Sequence, residues 1–281
     1  MAGMLYLVGT PIGNLGDFSP RAAETLAAVD FIAAEDTRVT RKLLSHFDIH
    51  KPLICYFEHN RAEMGEKLLS RLLAGESCAL VTDAGMPAIS DPGEDIVRRC
   101  AENGVAVCAV PGPCALVAAL ALSGLPTQRF CFEGFLSTTA KNRREHLESL
   151  KAEKRTMIFY EAPHKLLRTL KDLLDAFGDR EIALCREMTK LHEEVLRTTL
   201  SGALAHYSTP EHPPRGEFVL VLRGASAEAV PAMDASDALA LVARLRGEGL
   251  GLREACRRAS DETGMAKNEL YALALARQEE A

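Results

Sequence analysis

No apolar stretch in this chain approaches the roughly 18 to 20 residues that a membrane span requires. Met1-Ala2-Gly3-Met4 likewise lacks a secretory signal's basic start and long apolar segment, so a cytosolic protein without membrane partners is expected. Also missing is any C-x-x-C pair among the eight cysteines, Cys55, Cys78, Cys100, Cys108, Cys114, Cys131, Cys185 and Cys256. Most sit inside apolar runs, which predicts reduced packing residues rather than a disulfide framework or a metal site. There is no basic excess. The net charge of −6 does not advertise a nucleic-acid binder, although the location of charge matters more than its sum.

What is present is 281 residues with 47% hydrophobic content, enough for a globular protein of two compact domains. Leu5 to Val8 is a short apolar run that passes at once into Gly9-Thr10-Pro11-Ile12-Gly13-Asn14-Leu15-Gly16. That loop lets backbone approach a bound group, yet it fits neither G-x-x-x-x-G-K-[ST] nor a strict G-x-G-x-x-G. Ser19-Pro20 opens a helix as N-cap and first helical residue. A second run, Val29 to Ala34, ends in Glu35-Asp36-Thr37-Arg38, and a third, Leu53 to Phe57, in Glu58-His59-Asn60. A helix from Ala62 to Leu73 stops at Gly75. The fourth run leads into ALVTDAGMPAISDPG, Ala79 to Gly93, where an apolar segment breaks at Asp83-Ala84-Gly85 and two prolines shape the loop. A helix follows from Glu94 to Glu102, then a fifth run, Val105 to Val110, which stops at Pro111-Gly112-Pro113-Cys114-Ala115 before an almost wholly apolar helix. Runs alternating with helices predict an α/β layer with a largely parallel sheet, and the loops at its carboxyl edge predict a small-molecule pocket.

The pattern changes at Gly124-Leu125-Pro126. Strand-like runs at Phe130 to Phe135, Thr156 to Tyr160, Glu181 to Cys185 and Glu217 to Leu222, with helices at Lys141 to Lys154 and up to Phe177, predict a second α/β domain. Two loops there are rich in chemistry, Glu161-Ala162-Pro163-His164-Lys165 and Arg186-Glu187-Met188-Thr189-Lys190. Ser137 to Lys190 holds twelve Lys and Arg against nine Asp and Glu, as a solvated face or an RNA-facing one would. The expected division is residues 1–123, 124–224, a linker at 225–234, and a tail at 235–281 of three short helices with helix-turn-helix spacing. The tail carries seven basic and nine acidic residues from Asp234 onward, so duplex recognition does not follow, and a helical capping module fits equally well.

Taken together, LVGTPIGNLGDFSPRA, AAEDTR, TDAGMPAISDPG, VPGPCA, FEGFL, FYEAPHK and CREMTK, in this order, closely resemble the small-subunit ribosomal RNA methyltransferases I of the tetrapyrrole methylase superfamily. The resemblance spans about Leu5 to Gly224, and the tail is similar to that family's helix-turn-helix region. It implies two α/β domains that bind S-adenosylmethionine between them, a homodimer, and 2′-O-methylation of a cytidine in the decoding region of 16S ribosomal RNA within the 30S subunit. It also implies a cofactor site from Pro11, the backbone of Asp83, Ala84, Gly85 and Pro87, the turn Pro111, Gly112, Pro113, Cys114 and Ala115, and Tyr160. Two positions depart from the family pattern: Met86 where threonine is frequent, and Lys165 where arginine is common.

Methyl transfer to a ribose hydroxyl needs alignment and removal of a proton. Glu35, Asp36 and Arg38 from the first domain, with Glu161, Arg186 and Glu187 from the second, form the set that could meet across a cleft. His59, Glu133, His164 and Lys190 remain further candidates, and no single base is selected. Arg143, Arg144, Lys165 and Lys190 are the expected RNA-binding residues. Two other activities fit the same fold, a small-molecule methylase acting on a tetrapyrrole precursor and a non-catalytic ribosome-binding protein. The tail and the basic helix distinguish the first; cofactor binding distinguishes the second.

Overall fold

The computed structural model describes residues 2–225, 235–263, 265 and 267–279. The chain divides into two compact units, Met1–Gly224 and Ala225–Ala281. The expected linker at 225–234 lies outside the described residues except for Ala225, as do Gly264 and Ala266 of the second tail turn.

The first unit opens with a five-stranded, wholly parallel sheet. Its strands are β1 (Met4–Val8), β2 (Phe31–Ala34), β3 (Leu53–Cys55), β4 (Cys78–Val81) and β5 (Ala106–Val110), in the order β3-β2-β4-β1-β5. Every residue of β2 and β4 is buried, which is why both read as unbroken apolar runs: helices cover the two faces of the sheet. On one face, Leu68 and Leu72 of α3 (Arg61–Leu73) and Ile96 of α4 (Glu94–Glu102) pack on Phe31 and Leu80. On the other, Leu26 of α1 (Pro20–Ala28) and Leu44 of α2 (Thr37–His46) pack on Ile32 and Val81. Ser19 caps α1 by accepting from the Ala22 amide, with Pro20 at the first position, as the sequence predicts.

The second sheet is mixed. Its strands β6 (Phe130–Phe135), β7 (Thr156–Glu161), β8 (Glu181–Arg186), β9 (Glu194–Thr199) and β10 (Phe218–Leu222) lie in the order β6-β7-β10-β8-β9. Only β6 and β7 run parallel; β10 is antiparallel to both β7 and β8. One face is covered by α6 (Ala140–Ser149), α7 (Leu166–Phe177) and α8 (Leu200–Tyr207). The opposite face takes α5 (Ala115–Ser123), whose Leu116, Ala119 and Leu120 pack against Ile158, Ala183 and Val219. So α5 follows the last strand of one sheet but buries itself on the other. The two sheets therefore share one folded unit and face each other near the start of this helix.

The basic helix is shorter than its sequence suggests, ending at Ser149 where Leu150 turns its amide back to Leu147 and Glu148. In the tail, α9 (Ala235–Gly247), α10 (Leu252–Thr263) and α11 (Lys267–Glu279) share a core of Leu241, Val242, Leu245, Cys256 and Leu270. Three helices are what the sequence predicts. Among the described residues no helix is long and apolar enough to cross a membrane.

Candidate active site

The loops after β1, β4 and β5 are locked to one another before any side chain is considered. Thr10 and Gly85 exchange backbone hydrogen bonds at 2.9 and 3.1 Å, and the Thr10 hydroxyl donates to the Thr82 carbonyl at 3.1 Å. Gly85 sits at φ +89°, a conformation that favours glycine. Behind this pair the β1 and β5 loops cross at Gly9 and Gly112, so closely that a Cβ on Gly112 would lie 2.8 Å from the Gly9 backbone. Across the cleft, the Tyr160 hydroxyl accepts from the Leu116 amide at 3.1 Å and ties β7 to the start of α5.

These contacts frame a cavity of about 420 Å³ between the carboxyl edge of the first sheet and the β7–β10 end of the second. The volume lies in the range of small-molecule and cofactor sites. Ile12, Met86, Ile89, Met188, Phe135 and Val219 give it apolar walls. Glu35, Asp83 and Asp91 give it an acidic one. The Thr82 hydroxyl donates to Glu35 at 2.7 Å, and the Asp36 amide donates to Asp83 at 3.1 Å. Burial, and then the nearby charge of Glu35, raises the proton affinity of Asp83. The same two causes, in the same order, push Asp91 up to about 6. Three carboxylates this close resist sharing full negative charge, so the wall favours a cationic ligand or a proton.

Of the residues expected around a cofactor, Asp83, Ala84, Gly85, Cys114, Ala115 and Tyr160 line this cavity. Pro11, Pro87, Pro111, Gly112 and Pro113 do not; Gly112 acts from behind, as the crossing point of two loops. Glu35 and Glu161 reach the cavity. Asp36 instead caps α2 through the Arg38 amide and clamps the exposed Arg38 guanidinium at 2.6 Å, so this pair is surface structure. Glu161 is buried and held on both oxygens, by the Ala162 amide at 2.9 Å and by the Thr169 hydroxyl. Thr169 in turn accepts from Arg143 at 2.8 Å, and Arg143 bonds Asp172 at 2.5 Å. Arg143 is only 5% exposed and braces the floor of the cavity, whereas from the sequence it is expected at RNA. Arg144 is its exposed neighbour, and Lys165 is half-buried.

Arg186 and Glu187 are corrected too, since neither lines the cavity. Arg186 bonds the Arg215 carbonyl at 2.8 Å and Glu194 at 2.9 Å, bracing β8 against β9. Glu187 accepts from Lys190 at 2.8 Å and from the Glu217 amide at 2.9 Å, and the Lys190 bond holds its carboxyl below the usual range. Lys190 also pairs with Glu217 at 2.7 Å, so two carboxylates engage its charge. Glu133 is paired with His146 at 2.9 Å, while His59 and His164 are exposed. Of the cysteines, Cys78, Cys100, Cys185 and Cys256 are buried, but Cys55 is exposed at the end of β3. Thr82, Ser90, Asp91 and Met188 line the site without having been singled out from the sequence. Asp91-Pro92-Gly93 looks like a helix lead-in, and what turns it inward is a loop with Ala88 and Ser90 at φ +67° and +66°.

A profile described as Tetrapyrrole (Corrin/Porphyrin) Methylases matches residues 4–203, and one described as RsmI C-terminal HTH domain matches residues 232–278. A curated relative from Synechocystis sp., "Ribosomal RNA small subunit methyltransferase I", is 50% identical over 274 residues, covering 97% of this chain and 98% of its own. The chain belongs to the ribosomal RNA small subunit methyltransferase I family. Another member, from Escherichia coli O157:H7, is 46% identical over 279 residues, 98% of this chain and 96% of its own. A member from Thermotoga maritima is 49% identical over 222 residues, which is 79% of this chain but 99% of its own. Among solved structures, a diphthine synthase (17% identical, TM-score 0.59, 79% of this chain and 90% of that one) shares the fold of this methyltransferase family. So does a cobalt precorrin-4 methyltransferase (18%, TM-score 0.57, 78% and 94%).

Proposed function

We propose that this chain transfers a methyl group from S-adenosylmethionine to the ribose 2′-hydroxyl of a cytidine in 16S ribosomal RNA, acting on the 30S subunit in the cytoplasm. The observation that carries the proposal is the cleft between the sheets, part acidic and part apolar, in a chain 50% identical along nearly its full length to a curated methyltransferase of small-subunit ribosomal RNA. The residues present suit the cofactor. Glu35, Asp83 and Asp91 offset positive charge, the Asp83 to Met86 loop offers backbone with little side-chain bulk, and Ile12 and Met188 flank an apolar ring or chain. S-adenosylmethionine, when bound, supplies an electrophilic methyl group on a cationic sulfur.

What the chain itself contributes is alignment. Gly85 and Thr10 fix one wall, Tyr160 fixes the other through the start of α5, and a ribose oxygen held in line between them reacts without searching. Arg144, exposed on α6, and Lys165, just before α7, are the cations assigned to phosphate. We also propose a homodimer. Val117 and Leu122 of α5 and Val107 of the edge strand β5 are exposed apolar residues, at 54%, 37% and 36%, and a second copy would cover them.

Incubation with labelled S-adenosylmethionine and 30S subunits, with free 16S RNA and a porphyrinogen in parallel, tests the activity. Label in the subunit RNA at a ribose is expected. Label on the porphyrinogen alone would indicate a small-molecule methylase, and absence of cofactor binding by calorimetry would indicate a non-catalytic protein.

A further inference from the structure

A second cavity, of about 720 Å³, opens on the first sheet's side of the molecule between α3 and α4. It meets the first cavity at three shared residues, Glu35, Ser90 and Asp91. We propose that Asp91 takes the proton from the acceptor hydroxyl, and that the acceptor strand reaches the methyl donor through this second cavity. The proposal rests on the methyltransferase reading above and names the base which that reading leaves open.

Position makes the first part of the argument. Asp91 belongs to both cavities, so it borders the methyl donor on one side and the incoming ribose on the other. Its loop is held, not loose. Ala88 and Ser90 occupy the left-handed region, and a Cβ on Gly93 would meet Ala88 and Leu80 at 2.9 Å, so the chain there has little room to turn elsewhere.

Competition among the carboxylates makes the second part. Glu35 accepts the Thr82 hydroxyl at 2.7 Å and Asp83 accepts the Asp36 amide, so both are already engaged by donors. Asp91 faces Glu35 from the end of β2, Asp83 and Thr82 from the end of β4, and the Tyr160 phenol from β7. Burial and these neighbouring negative charges raise its proton affinity to about 6, which suits a base that must be ionised near neutrality yet still accept a proton readily.

The far side of the second cavity supplies cations. Arg61 and Arg98 line it, each in an exposed pair, with Glu58 at 3.0 Å and Glu102 at 3.3 Å. Exposed pairs of this kind contribute little stability, so a phosphate can replace the carboxylate as partner at small cost. Glu94, Asp95 and Arg99 complete the charged lining. The step balances within this frame. The hydroxyl oxygen gives an electron pair to the methyl carbon, the carbon–sulfur bond breaks toward sulfur to leave a neutral thioether, and the O–H proton passes to the Asp91 carboxylate.

The test compares wild type with D91N, D91E and E35Q in labelled transfer to 30S subunits, alongside calorimetric affinity for S-adenosylmethionine and a melting curve for each variant. D91N should lose about 10²- to 10⁴-fold in transfer rate at saturating cofactor, beyond any loss of cofactor affinity from the acidic wall, and D91E should recover part of the rate. Only the ionised carboxylate accepts a proton, so the wild-type rate should rise with pH through about 6 and then level; E35Q should keep such a limb but move it to lower pH, because the Glu35 charge is one cause of the rise. R61A/R98A should raise the KM for subunits and flatten its salt dependence without changing cofactor affinity. A wild-type rate in D91N at saturating cofactor, or loss of the acid limb in E35Q, would overturn the base assignment. An unchanged KM and salt dependence in R61A/R98A would overturn the route. If wild type itself labels no RNA, the methyltransferase reading fails, which is a separate result.

Discussion

Arg143 shows how differently one residue reads in sequence and in space. In a basic helix beside Arg144 it resembles a phosphate contact, but its guanidinium points inward to Asp172 and Thr169 and through Thr169 supports Glu161 beneath the cleft. Arg143→Ala leaves that buried network without its cation. Because Asp172 is partly open to water the cost should fall at the low end of the range for broken buried pairs, about 3 kcal/mol. A melting curve checks it, with a drop of roughly 6 to 12 °C expected for a chain of this size. Asp83 is the opposite case, a residue whose motif position and cavity position agree. Asp83→Ala should weaken S-adenosylmethionine binding by about 10-fold or more, the loss of one charge-assisted contact, as measured by calorimetry. Unchanged affinity would make Asp83 a turn residue only.

At the scale of elements, the centre of the parallel sheet was legible because both its faces are covered, so β2 and β4 are unbroken apolar runs and the loops after them polar or glycine-proline breaks. The exposed edge of the second sheet was not. Residues 191–216 fold as β9 and α8, yet β9 is half-buried apart from the exposed Arg197 and mixes charged residues and threonines with two apolar residues, leaving no clean alternation to find. The same limit applied within the site. Loops that depend on backbone conformation, such as Ala88 to Gly93, leave no signature in residue type unless glycine marks every turn. Gly112 is marked, and its reason is steric: Gly112→Ala sets a Cβ 2.8 Å from the Gly9 Cα and carbonyl oxygen. Backbone on backbone cannot yield as a side chain can. The substitution should cost about 1–3 kcal/mol in a melting experiment and weaken cofactor binding with it, because the β1 loop must shift.

Over the whole molecule, a chain of net charge −6 that acts on RNA must rely on local cations rather than on its overall field. Assembly is testable through α5, which buries Leu116 and Leu120 on the second sheet while exposing Val117 and Leu122. Val117→Glu should shift the protein from dimer to monomer in light scattering with little change in melting temperature; a monomeric wild type would remove the dimer proposal. The arrangement of β10 has a consequence for synthesis. All five strands of the first sheet have been made once Val110 leaves the ribosome, but the second sheet lacks its middle strand until Phe218–Leu222 emerges. Until then β7 and β8 each wait with an unpaired edge, exposed to any neighbouring chain. A nascent chain paused between residues 186 and 218 is thus the form of this protein most in need of a chaperone.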